Sequence, residues 1–160
     1  LLAEQIGVGA VIFNELGQRR MKDVVFTWEK ALNLHGDSGP YLQYTHARLS
    51  SVGRKYGKEL PAEVDFSPLK SAAEADVAKA LARFPLAVRR ASVEDEPAIV
   101  GEYLLDLASV FNRFFTDKAN HRIISDDEKL TIARVALVEC VRRVLASGLA
   151  LLGIAAPEKM

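Results

Sequence analysis

Gly39-Pro40-Tyr41-Leu42-Gln43-Tyr44-Thr45-His46-Ala47-Arg48-Leu49-Ser50-Ser51-Val52-Gly53-Arg54-Lys55-Tyr56 is the stretch on which the fold turns. Leu42, Thr45, Leu49, Val52 and Tyr56 recur at helical spacing and define one inward stripe. Ser38 or Asp37 stands where an N-cap belongs, Pro40 falls in the first turn, and Gly57 is a stop. The run His35-Gly36-Asp37-Ser38-Gly39-Pro40 ahead of the stripe reads as a loop. From Gly39 to the C-terminus only helix and loop signals follow, the pattern of an α-helical bundle.

Downstream, a polar connector from Lys58 to Ser67 carries Pro61 and leads to Pro68, so it reads as a seam. An alanine-rich helix is predicted from Pro68 to Arg83, where Pro85 must break or restart it. A short helix over Leu86–Ala91 and a long one from Pro97 to Thr116 follow. Asn120–Ser125 is a loop, and Ser125 with Glu128 forms a capping-box pattern for a last helix from Asp126 to Leu152. Gly153 and Pro157 end that helix. Upstream, Ala3–Leu16 reads as a helix despite Gly7 and Gly9, and Asp23–Trp28, with Val24, Val25 and Phe26, has the composition of a strand. The expected fold is therefore all-α, a helical bundle with a short N-terminal helix and strand segment, divided into residues 1–37 and 38–160.

Composition narrows the function classes. With 160 residues, 49% hydrophobic and 26% charged, the chain suits one globular domain or a large part of one. Lysine plus arginine and aspartate plus glutamate each total 21, so net charge is zero. A sequence-blind nucleic-acid binder is normally basic, so any such role must come from placement of charge. The single cysteine, Cys140, excludes an internal disulfide framework and a multi-cysteine zinc site. Among Val138, Val141 and Val144 it reads as a small buried hydrophobe. His35, His46 and His121 lack metal-ligand spacing. The uncharged run Val144–Ala156 is too short to span a bilayer, so no membrane partner is expected. A start at Leu1-Leu2, with no initiator Met and no signal peptide, suggests a piece of a longer protein in a reducing, cytoplasmic setting.

No catalytic constellation is present. Gly7-Val8-Gly9 has Ile12 at the third glycine position of a phosphate-binding loop, and tight helix packing is the better reading. Asp126-Asp127-Glu128 and Glu94-Asp95-Glu96 sit where acids complement a helix dipole. Nucleophile-elbow, Walker and zincin spacings do not occur.

One face is not core. At about 100° per residue, Tyr44 lies roughly 110° from the centre of the Leu42–Tyr56 stripe. Arg48 and Lys55 continue along Tyr44's side, giving an aromatic and cationic strip. A ring there can stack on an unpaired base, and arginine can stack or bind phosphate. A rim tyrosine beside two solvated cations is the plain alternative. On the Pro97 helix, Val100, Leu104, Leu107, Phe111 and Phe114 form the apolar stripe. Phe111 is central in it, whereas Phe115 lies at its edge near Arg113, Lys118 and Arg122. An apolar Met160 bearing the free carboxylate closes the chain.

These residues carry a resemblance. Tyr41-Leu42-Gln43-Tyr44-Thr45-His46-Ala47-Arg48 resembles the Y-x-Q-Y-x-x-A-R segment of arginyl-tRNA synthetases. The run Tyr103–Asn112 resembles the Y-L-x-x-L-A-x-x-F-N segment of their anticodon-binding domain, and Leu151–Met160 their L-L-G-I-x-x-P-x-x-M ending. Gly7–Val11 and Asp23–Trp28 are similar to the stretch leading into that domain. The resemblance implies a class I synthetase that joins arginine to its tRNA using ATP and Mg²⁺, in a catalytic domain of the same polypeptide. The HIGH-type and KMSK-type signatures of that domain do not occur here, so this region is expected to be inactive alone and to hold no cofactor. It implies a bundle that grips an anticodon loop whose second letter is cytosine. By position it implies RNA contacts for Tyr44, Arg48, Phe111, Phe115 and Met160. The aromatic at 111 is Tyr in some members and Phe115 stands where others carry larger rings; Phe donates no hydrogen bond, so specificity there must come from shape or stacking. For Phe111 the stripe places the ring's inner face in the core and leaves its edge open.

Two rivals remain. One is a protein-interaction helical bundle in which the Tyr44 strip and Met160 dock a partner helix. The other is an enzyme using Cys140 or His46, against which the apolar register of Cys140 counts.

Overall fold

The computed structural model describes residues 1–160 as seven helices: α1 (Leu2–Leu16), α2 (Trp28–Ala31), α3 (Gly39–Tyr56), α4 (Ala72–Ala82), α5 (Phe84–Val93), α6 (Ala98–Thr116) and α7 (Glu128–Leu151). Local chemistry sets their ends. Ser38 Oγ accepts from Tyr41 N at 3.1 Å to start α3. Gly57, at φ 68°, takes the left-handed turn that stops it. Ser71 and Glu74 form a reciprocal capping box that starts α4 later than Pro68. Pro85 restarts the chain as α5.

Helices α3, α6 and α7 enclose the core. Leu42, Leu49, Leu104, Leu107, Phe111, Phe114, Leu145 and Leu149 are all 2% exposed or less. Burying each such side chain stabilises by about 1.5–3 kcal/mol. Helices α4 and α5 cover α6. Tyr103 Oη donates to Ala80 O at 3.0 Å across that contact, and burial pushes its hydroxyl pKa up to about 12. Helix α1 crosses α3 so closely that a Cβ at Gly39 would meet the Gly9 backbone within 3 Å. The Gly7-Val8-Gly9 stretch thus serves helix packing, through Gly9. Phe13 of α1 joins the same core.

Two expectations fail. Asp23–Trp28 forms no strand: no second strand exists to pair with it, and Val25 is 71% exposed. Thr27 instead caps α2, and Phe26 meets Trp28 edge-on at 5.0 Å. Ser125 does not cap the last helix. Asp127 does, accepting from Leu130 N at 3.1 Å, while Ser125 N donates to Thr131 Oγ1 at 3.0 Å.

Candidate nucleic-acid interface

The outer side of α3 carries the half-buried Tyr44 and Arg48 and the exposed Ser51 and Lys55, about one turn apart on the helix surface. One clamp sets its register against α6. Asn112 Nδ2 donates to Tyr41 Oη at 2.7 Å. Two turns further along α3 and one turn further along α6, Phe115 reaches Arg48. The Arg48 guanidinium carbon lies 5.6 Å from the Tyr44 ring centroid and 5.0 Å from that of Phe115. Both distances fall within cation–π range.

Behind Phe115 the rings continue inward. Phe111 stacks on Phe115 at 5.4 Å and 29°, and meets Phe114 edge-on at 6.0 Å. Phe114 in turn packs on His121 at 5.1 Å. Phe111 itself is only 1% exposed, so it is no contact residue: it lies in the core and supports Phe115 from below. The stripe on α6 had already placed it there, and the whole ring is taken by that packing.

A groove of about 470 Å³ opens between α3 and the segment after α6. Arg48, Lys55, Lys118 and Arg122 line it, with Phe115 and His121, and no carboxylate does. None of the four cations forms an ion pair. A chain of zero net charge therefore gathers unpaired positive charge in one concave place, which suits an anion or a polyanion.

The groove wall is anchored from the core. Arg134 Nη1 donates to Arg122 O at 2.8 Å, and Arg134 Nε to Glu74 Oε1 at 2.7 Å, with both side chains buried. Burial alone would raise the Glu74 pKa, but its bonds from Ser71 and Arg134 outweigh that and hold it below the usual carboxylate range. His121 Nδ1 lies 3.4 Å from Asp117 Oδ2 without hydrogen-bond geometry, so it is left unpartnered.

The C-terminus is pinned. Gln43 Nε2 donates to Ala155 O at 2.8 Å, His46 Nδ1 to Pro157 O at 2.9 Å, and Arg54 Nη1 to Glu158 O at 3.1 Å. Met160 follows two residues later and is 40% exposed. Gln43 and His46 were not singled out in the sequence for this role. The signal was there: two polar side chains at inward positions of α3 demand partners.

The enzyme reading loses its residues. His46 is 1% exposed and engaged with Pro157 and Arg142. Cys140 is exposed rather than buried, a correction that follows from register: at 100° per residue it lies roughly 120° from the centre of the α7 stripe. Enough protein surrounds its sulfur that desolvation still pushes the thiol up, away from the reactive thiolate.

Known proteins share this architecture. The family described as DALR anticodon binding domain matches residues 42–160. An arginine–tRNA ligase from Alkaliphilus metalliredigens is 41% identical over 159 residues, 99% of this chain and 28% of that protein. One from Lactobacillus johnsonii is 43% identical over 159 residues, 99% of this chain and 27% of that protein. The structure of the Thermus thermophilus arginyl-tRNA synthetase superposes at a TM-score of 0.92 with 36% identity, over 99% of this chain and 27% of that one. The chain thus spans a little over a quarter of the length of these curated relatives.

Proposed function

The chain belongs to the DALR anticodon binding domain family, and on that premise we propose that the groove between α3 and the segment after α6 grips the anticodon loop of arginine tRNA as one domain of an arginine–tRNA ligase. The observation that carries this reading is the setting of Arg48 beside an acid-free groove. Its guanidinium lies between two rings, so the edge of the fork, with its N–H donors, is what remains for a ligand. An unpaired cytosine offers O2 and N3 as adjacent acceptors on its Watson–Crick edge, a match for such a fork. Lys55, Lys118 and Arg122 then take the phosphates flanking the splayed base. Tyr44 and Phe115 hold the arginine in place and lend ring edges for base contact.

Activation of arginine with ATP and Mg²⁺ would then belong to the rest of the ligase, in the cytoplasm. Residues 1–37 would be the segment on the catalytic-domain side, and the exposed Val8, Val11 and Trp28 would face that domain. No helix is long and apolar enough to cross a membrane.

The test is a chemical-shift map of the ¹⁵N-labelled chain during titration with the anticodon stem-loop of arginine tRNA. Perturbations should cluster at Tyr44–Lys55 and Phe115–Ile124, including the Arg48 side-chain Nε–H. Perturbations confined to α4 and α5 would overturn the assignment.

A further inference from the structure

We propose that His46, assisted by Gln43 and Arg54, is a positioning residue for RNA binding: it fixes the course of the C-terminal tail so that Met160 stands at the margin of the groove. The proposal rests on the reading of that groove as an anticodon-loop site.

The segment after Gly153 is held against the bundle by hydrogen bonds. Ile154 is 3% exposed and sealed to the end of α7, with Ile154 N donating to Leu149 O at 2.9 Å. The next four residues are tied to one side of α3 at Gln43, His46 and Arg54. The ties have a cost in the core. Gln43 is fully buried, and its Oε1 has no partner. The amide nitrogen that donates to Ala155 O also donates to Gln5 O at 3.1 Å, so Gln43 ties α1 and the tail together.

The proton on His46 is set by its neighbours. Pro157 O can only accept, so Nδ1 carries the hydrogen; the Arg142 guanidinium, 3.4 Å from Nε2, can only donate, so Nε2 is bare. Arg142 is itself held by Glu139 through two bonds of 2.7 Å. A polar relay therefore runs from α7 through α3 to the tail, with the neutral imidazole as its middle link.

The tail's last tie lies beside the RNA-facing side of α3. Arg54 is about 60° round the helix from Ser51 and about 100° from Lys55, both of which line the groove. Met160, two residues past Glu158, is within about 7 Å of it along the chain. A thioether at that margin is a soft, polarisable surface for a base.

The chain has two methionines, so [¹³C-methyl]methionine labelling gives two signals, and Met21, 90% exposed, is the reference for a free side chain. In His46→Ala the Met160 signal should sharpen toward that of Met21, and affinity for the arginine tRNA anticodon stem-loop should fall about tenfold as preorganisation is lost. Met160→Ala added to His46→Ala should cost little more, because both act on one element. His46→Asn, whose amide can donate to Pro157 O, should restore most of the order and affinity. Arg54→Ala, at an exposed site, makes the same test without disturbing the core. A Met160 signal that stays restricted in both His46→Ala and Arg54→Ala overturns the proposal, as do losses from His46→Ala and Met160→Ala that simply add. Arg48→Ala run alongside separates the two ideas. If it alone weakens binding, the groove reading stands and the positioning role falls; if no variant weakens binding, the groove reading has failed and takes the positioning role with it.

Discussion

The guanidinium of Arg48 sits between the ring of Tyr44, from its own helix, and that of Phe115, from α6. Each cation–π contact at a half-exposed site is worth about 0.5–1 kcal/mol, enough to hold a flexible side chain in one orientation before any ligand arrives. Arg48→Ala should weaken binding of the arginine tRNA anticodon stem-loop by about 1–3 kcal/mol, as for a base-reading contact. The melting temperature should change little. Arg48→Lys should recover only a minor part of the loss, since an ammonium lacks the planar fork. Paired titrations and thermal melts of the three proteins check this.

Phe111 and Phe115 touch each other yet should fail differently. Phe111 is a core side chain, so Phe111→Ala should cost about 3–5 kcal/mol of stability. Phe115 lies at the rim, so Phe115→Ala should cost much less stability while releasing one side of Arg48 and weakening RNA binding. Urea unfolding read together with binding separates the two.

The Glu74–Arg134 pair is buried and spaced at 2.7 Å. Removing one partner strands the other's charge, so Arg134→Ala should destabilise by about 3–5 kcal/mol. It also removes the donor to Arg122 O that anchors the groove wall. Amide hydrogen exchange should therefore rise at Arg122–Ile124 more than in α1 under conditions where the variant remains folded.

Burial is the main cause that holds the His46 pKa below its ordinary 6.5, and the Arg142 charge adds to it, while the Pro157 carbonyl, Glu158 and Glu139 oppose it. Just below pH 6.5 the unfolded chain then binds a proton that the folded chain refuses. Stability due to His46 is intact above that pH and declines as pH falls below it. Urea midpoints at pH 7.5 and 5.5 should differ more in the native protein than in His46→Asn, which has no such proton to bind.

The parts of this molecule that were legible in the sequence are those fixed by local chemistry. Ser38, Pro40 and Gly57 bound α3, and the stripe Val100–Phe114 orients α6, because caps and periodicity act within a turn or two. Tyr44, Arg48 and Phe115 could be placed on rims for the same reason. Asp23–Trp28 misled because β-branched composition does not say whether a partner strand exists. Ser125 lost the cap to Asp127 two residues on, a competition between neighbours that spacing alone cannot decide. The tail ties from Gln43 and His46 and the Tyr41–Asn112 clamp join residues about 70 to 110 positions apart. Polar residues in inward register announce that such partners exist but not which they are.

The most direct test of the central claim is a titration of this chain with arginine tRNA and with the same tRNA carrying a changed second anticodon letter, each at two salt concentrations. Phosphate contacts weaken as salt rises, whereas base-edge readout is a difference that survives it. Tighter binding to the cognate loop is expected, with the preference retained at the higher salt. Equal affinity for the two tRNAs, lost together as salt rises, would contradict it.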